Sequence, residues 1–218
     1  MGTLFIHKTK RYLRWPFKLL FLVSFVLVFW FVKPFLLPAI ADFLYIPSVE
    51  KKCDLLIING GYFISSYELN QAHIAWEKGL AKNLVVVINE NHNVNLIGID
   101  DYDQRIRDAL LMMGFASEDF VFLPVHFESP YTLHVARAVT DYCVQQHYES
   151  ALILCDSFHI RRTFLTYQKE FRKYDMEAFP YTYSIIITRN NWWKSSNGLR
   201  RVLEEYLKLA VYWYRGYI

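Results

Sequence analysis

In SALILCDSFHIRR (150–162), five consecutive apolar residues at 151–155 give way to a polar turn, and the turn leads into a segment of different period. A run of that length is too short for a helix and reads as a strand buried on both faces. Beyond it, Ile160, Phe164, Tyr167 and Phe171 recur at helical spacing. The stretch is therefore a strand, a turn and a helix. The same unit recurs along the chain. DLLIIN (54–59), NLVVVIN (83–89), DFVFLP (119–124) and MEAFPY (176–181) are further strands, and 66–79, 102–114, 131–147 and 159–173 have the helical pattern. Apolar strands alternating with amphipathic helices specify an α/β fold, a parallel sheet of about five strands with helices on both faces. A final helix at about 198–214 places Leu199, Val202, Leu203, Tyr206, Leu209, Ala210 and Trp213 on one side and is expected to cover the sheet, with Glu204 and Lys208 paired on the other.

The 218 residues suffice for one such domain and an appendage. The appendage comes first. Residues 19–32, LLFLVSFVLVFWFV, are uncharged, and apolar residues continue beyond Lys33 to Ala41. About 20 largely apolar residues cross a bilayer, and Lys18 and Lys33 can extend their ammonium groups toward headgroups. A cleaved signal peptide is the competing reading, with Ala39-Ile40-Ala41 as its cleavage site. Lys33, Pro34 and Pro38, lying between the apolar run and that site, favour an anchor. Five basic residues (Lys8, Lys10, Arg11, Arg14, Lys18) precede the segment, so the expected orientation has the N-terminus in the cytoplasm. The expected organisation is a cytoplasmic basic tail (1–18), a transmembrane anchor (19–41), a linker (42–52) and an extracytoplasmic domain (53–218).

Net charge is +3, with the positive excess in that tail and no basic stripe with interleaved aromatics elsewhere, which argues against nucleic acid. Cys53, Cys143 and Cys155 have no C-x-x-C spacing and read as buried thiols.

In a parallel α/β sheet, ligands bind beyond the carboxyl ends of the strands. Four loops lie there. Asn59-Gly60-Gly61-Tyr62 permits a tight turn or a close approach to a ligand. The segment 89–95, NENHNVN, is polar and reads as a solvated loop or a site wall. In the third loop, Ser129 is placed to cap a helix with Pro130 at its first position, followed by Thr132. In the fourth, Asp156 or Ser157 caps the helix, His159 falls in its first turn, and Arg162 lies three residues on. A histidine there feels the positive end of the helix dipole, which favours its neutral form. Arg162 offers a fixed charge suited to phosphate or carboxylate. His126, Glu128, Asp156 and His159 match no metal-ligand spacing, so no metal is expected. No G-x-S-x-G elbow is present.

Over about 165 residues the order of these elements resembles a bacterial envelope family that includes SanA, YdcF and ElyC. The resemblance is carried by Gly60-Gly61 after the first strand, a helix ending at Gly79, Met113-Gly114, Ser129-x-x-Thr132 with Ala136, Phe158-His159-x-x-Arg162, and Glu204 with Lys208. It departs from the family pattern at Tyr131, His134 and Val135, which stand in the places of Asn, Glu and Asn, and at Cys155-Asp156-Ser157 and Asn89-Glu90-Asn91. The resemblance implies a Rossmann-like domain outside the cytoplasmic membrane, associated with envelope integrity and with polysaccharide or lipid-carrier metabolism. It assigns no cofactor.

Three functional readings follow. The first is a membrane-anchored envelope protein whose strand-end cleft binds a small anionic ligand, phosphate-bearing or nucleotide-like, through Gly60, Gly61, Ser129, Thr132, Ser157, His159 and Arg162. The second is a hydrolase or transferase acting on an envelope precursor, with His159 as acid/base assisted by Glu128 or Asp156. The third is a non-enzymatic interaction module.

Overall fold

The computed structural model describes residues 15–60, 63–90, 102–126, 128–184 and 186–218. Five strands, β1 (Cys53–Ile58), β2 (Ala81–Asn89), β3 (Phe120–Val125), β4 (Ser150–Asp156) and β5 (Glu177–Tyr183), form one sheet in the order β3-β2-β1-β4-β5. Every pairing is parallel. The two edge strands each contain a proline, Pro124 in β3 and Pro180 in β5. Proline cannot donate to the ladder on both sides, so it is confined to edges.

Side chains alternate across the sheet. Leu56, Ile58, Leu84, Val86, Leu152 and Leu154 share one core with α2 (Ser66–Glu77) and α3 (Tyr102–Met112). Leu55, Ile57, Val85, Val87 and Ile153 face the other way, onto α4 (Tyr131–Gln146) and α5 (Ile160–Phe171). The fold is a Rossmann-like α/β layer structure. Cys53, Cys143 and Cys155 are buried and unbridged, and burial pushes the Cys143 thiol up to about 12.

At the N-terminal end of the described chain, α1 (Trp15–Leu44) is one helix of 30 residues that runs through Pro34 and Pro38. It is long and apolar enough to cross a membrane. The helix ends three residues beyond the expected anchor, and its last turns dock on the domain: Ala41 and Leu44 are buried with Phe158, Trp192, Val202 and Leu209. The following residues, expected as a linker, are not a free tether. Val49 N–H donates to the Pro180 carbonyl at 2.9 Å, Ser48 Oγ accepts from Thr182 N at 2.7 Å, and Lys51 pairs with Glu177 at 2.8 Å. This segment covers the open edge of β5.

The last helix, α6 (Ser196–Tyr214), also departs from expectation. Its buried apolar residues join the cluster at the end of α1 and pack beside α5, a cluster that contains no strand residue. Leu199, Leu203 and Trp213, expected to cover the sheet, are exposed.

Candidate functional site

Strand order reverses between β1 and β4, because the chain leaves β1 toward β2 and β3 and returns through α4 to pair β4 on the other side. Diverging connections open a crevice at such a point. It has a volume of about 390 Å³ and is walled by residues from α2, α4, α5, α6 and the carboxyl ends of β1, β4 and β5.

The β1 wall is Asn59 and Gly60. A Cβ on Gly60 would run into the Val87 carbonyl oxygen, so the glycine is required by the packing of β1 against β2, whatever binds above it. Two tyrosines hold this corner: the Tyr131 hydroxyl donates to the Gly60 carbonyl, and the Tyr167 hydroxyl to Asn59 Oδ1 at 2.7 Å. Gly61, and residues 91–95 of the polar loop after β2, lie outside the described residues.

Arg162 enters from α5 and is 8% exposed. Each nitrogen of its guanidinium is engaged: Nε and Nη2 donate to the two oxygens of Glu205 at 2.9 and 3.1 Å, and Nη1 donates to Thr132 Oγ1. A fork matched to both carboxylate oxygens is the strongest geometry for this pair. Arg162 therefore ties α4, α5 and α6 together, and its charge is already met by a carboxylate, so it is not the open cation that its position in the sequence suggests.

Glu205, 1% exposed, also lies 2.9 Å from His159 Nδ1 and 3.2 Å from Lys208 Nζ. The His159 contact is one of proximity, since its alignment falls outside hydrogen-bond geometry. Burial alone would raise the Glu205 carboxyl, but His159 and Arg162 overcome it and hold the group well below the usual carboxylate range. His159 itself precedes α5 as its N-cap residue and makes no side-chain cap bond, so it stands before the first turn rather than in it. With Nδ1 turned to Glu205, its Nε2 lies 3.4 Å from Arg201 Nη2.

Asp156 does not cap α5. Its Oδ1 accepts from Phe158 N at 3.0 Å, closing the turn, and pairs with Arg201 Nη2 at 3.0 Å. Arg201 makes both contacts through one nitrogen; among the described residues its Nε and Nη1 have no acceptor.

Across from these groups is Glu68. Ser65 caps α2 by accepting from Glu68 N at 3.2 Å, and the Glu68 carboxyl returns to the Ser65 backbone N–H and to Tyr183, a capping box. Burial pushes this carboxyl up to about 7 against those hydrogen bonds, and the Asp156 charge adds to the rise.

Of the residues read from the sequence, the structure brings Gly60, Thr132, Asp156, His159 and Arg162 to the crevice. Two others face elsewhere. Ser129 does not cap α4, whose N-cap is Pro130 without a side-chain bond, and it lines a neighbouring groove with Leu207 and Val211. Ser157 lines a separate hollow beside Ala41 and Tyr45. Its Oγ is buried with no partner among the described residues. Glu128 is exposed after edge strand β3, 3.4 Å from His126, and is not part of the crevice wall. Among the described residues no three His, Cys, Asp or Glu side chains are grouped to hold a metal.

Glu68, Arg201 and Glu205 were missed. Ser65-x-x-Glu68 before a helix is a capping-box pattern that points to Glu68. Glu205 lies three residues after Val202 and four before Leu209, a charge inside an apolar stripe, which asks for a buried partner. Nothing local marks Arg201.

Comparison of the chain with family models, curated proteins and solved structures gives no match.

Proposed function

We propose that the chain is a membrane-anchored envelope protein whose crevice binds a small anionic ligand, phosphate-bearing or nucleotide-like. One observation carries this reading: α2, α4 and α5 all begin at the crevice, so three helix N-termini direct their positive ends at one volume. Helix N-termini favour anions, and at the rim Arg201 offers unfilled donors beside His159 Nε2. Arg162 and Glu205 cancel each other and act as the scaffold beneath. Within the same reading, the order of elements and the strand-end residues Gly60, Thr132, His159 and Arg162 support a divergent place in the SanA/YdcF/ElyC-like family. The basic tail supports an inner-membrane location with the N-terminus inside and the α/β domain periplasmic.

The test is a thermal shift of the full chain in detergent with inorganic phosphate, pyrophosphate and a polyprenyl phosphate. A ligand at 100 times its Kd stabilises by about 2.7 kcal/mol. At least one probe should raise Tm in the parent and in Arg200→Gln, on the exposed polar side of α6, but not in Arg201→Gln. Equal responses of parent and Arg201→Gln to every probe would falsify the placement.

A second reading, a hydrolase or transferase working on an envelope precursor, is favoured by Glu68 alone. A carboxyl that keeps its proton to about pH 7, across a crevice from His159, has the pairing that acid/base catalysis uses. Release of phosphate from a polyprenyl diphosphate by the full chain, lost in both Glu68→Gln and His159→Ala, would select it over simple binding.

A further inference from the structure

Three faces run along α6. Gly198, Val202, Glu205, Leu209 and Tyr212 turn inward. Arg200, Glu204 and Lys208 form a charged row joined by ion pairs at 3.7 and 3.6 Å. Between them lies an apolar row, Leu203, Leu207 and Val211, which is 61%, 69% and 54% exposed. A helix on a water-facing domain has its apolar residues inward and polar ones outward. An exposed apolar row flanked by charge is the distribution of a helix lying in a membrane interface.

What covers that row is indicated by α1. Lys33 closes the uncharged run 19–32, and its ammonium folds back over the Trp30 ring at 3.5 Å. Only one turn later the helix is already docked: the Leu37 carbonyl accepts from Trp192 Nε1 at 3.0 Å. Ile40 O then accepts from the Tyr206 hydroxyl at 2.7 Å, and the Phe43 ring stacks on Tyr206 at 5.5 Å. Four residues of helix advance about 6 Å, so the domain begins within about one turn of the end of the uncharged run. Tryptophan donors and lysines at that depth are the ordinary occupants of a headgroup layer.

The apolar surface is continuous from this dock onto α6. At about 100° per residue, Tyr206, Ala210 and Trp213 fall on the α1 side of the helix, and Leu203, Leu207 and Val211 carry the same sector round to the face opposite the buried stripe. An apolar groove of about 400 Å³ opens where Phe43 meets Trp213 and Ala210.

We propose that α6 lies along the surface of the bilayer that α1 crosses, with Leu203, Leu207 and Val211 among the lipid chains. The proposal rests on α1 spanning a membrane and is independent of what the crevice binds. It also places the crevice beside lipid, since Arg201 and Glu205 hang from the same helix.

The experiment uses the full chain in vesicles of phosphatidylethanolamine and phosphatidylglycerol, spin-labelled at single introduced cysteines. The three native thiols are buried, and mock-labelled parent protein sets the background. Leu203→Cys, Leu207→Cys and Val211→Cys replace exposed side chains, Glu204→Cys is the polar reference and Phe25→Cys reports on α1. Labels at 203, 207 and 211 should collide with dissolved oxygen several-fold more than with a water-soluble nickel chelate, as at 25, while 204 shows the reverse. Nickel-dominated collisions at all three, with 25 oxygen-dominated, overturn the proposal and leave the anchor standing. A nickel-accessible label at 25 overturns the anchor and this proposal with it. Shielding from both reagents together with spin-spin broadening assigns the row to a second copy of the chain and overturns the lipid assignment.

Discussion

The inward and outward faces of α6 each carry an exception to the usual arrangement. Inward, the helix buries a carboxylate, Glu205 at 1% exposure; outward, it shows Leu207 at 69%. Each anomaly has a local cause. Glu205 is tolerated inside because Arg162, His159 and Lys208 surround it. The leucines are tolerated outside if water is not what they meet. The comparison teaches that a hydrophobic stripe locates the least polar neighbour of a helix, and that neighbour need not be the core.

The inward face can be broken most severely by removing its charge. Glu205→Ala would leave Arg162 with Thr132 as its one remaining side-chain hydrogen-bond partner, and a buried pair that loses one member costs about 3–5 kcal/mol. Urea unfolding of the full chain in detergent should show a loss of that size. In the double variant Arg162→Met, Glu205→Leu much of it should return, because two apolar side chains leave no uncompensated charge. A loss below about 1 kcal/mol in Glu205→Ala would mean that the charges around Glu205 do not hold α6 in place.

Two shifted carboxyls, Glu68 in the crevice wall and Glu205 beneath it, sharpen the contrast, because they respond to pH with opposite signs. Glu205 is depressed in the folded state, so its contribution is present above its ordinary value of 4.5 and is lost as pH falls below it. Glu68 is raised from 4.5 to about 7, so the folded state binds the extra proton and stability declines as pH rises through that window, by at most about 3 kcal/mol. Glu68→Gln keeps the capping box and should flatten the decline between pH 4.5 and 7 while leaving the acid limb unchanged. Thermal melts across pH measure both limbs. A decline that persists in Glu68→Gln would remove Glu68 as its source.

The entry to α6 depends on close backbone packing. A Cβ on Gly198 would meet the backbone of Trp192, the residue that also binds Leu37 of α1. Gly198→Ala should cost about 1–3 kcal/mol. It should also increase proteolysis between Leu37 and Phe43, because shifting Trp192 loosens the dock. Unchanged cleavage there would show that the end of α1 holds without Trp192.

Most of the fold was legible because its signals are local. Each strand is a short apolar run, each helix has its own period, and all five strands and the helices after them fall within a few residues of where these patterns place them. The crevice was half legible. Thr132, Asp156, His159 and Arg162 could be found because a parallel sheet fixes where loop residues gather. The role of Arg162 could not, since its partner Glu205 is 43 residues away on another helix. Ser129 and Ser157 were misplaced for a related reason: position in a loop says which end of the sheet a residue occupies, not which side of the loop its hydroxyl takes. The face of α6 differs from expectation because periodicity shows that a stripe is apolar and not which neighbour covers it: Val202 and Leu209 pack at the end of α1 instead of on the sheet.

The smallest expected effect tests that last distinction. Leu203→Ser and Leu207→Ser remove apolar side chains that are 61% and 69% exposed. If the outward row adds nothing to the fold, both variants should unfold within about 0.5 kcal/mol of the parent in detergent, as exposed substitutions do. In vesicles the outcome should differ. Each buried CH₂ contributes about 0.8 kcal/mol, so a leucine withdrawn from lipid weakens the hold of α6 on the bilayer while α1 remains inserted. Hydrogen exchange along 196–214 should then be faster in the serine variants than in the parent when both are in vesicles, and equal when both are in detergent too dilute to coat the domain. A core helix would show the opposite, a loss of stability in both media, and the contrast between the two faces of α6 would then collapse into ordinary packing.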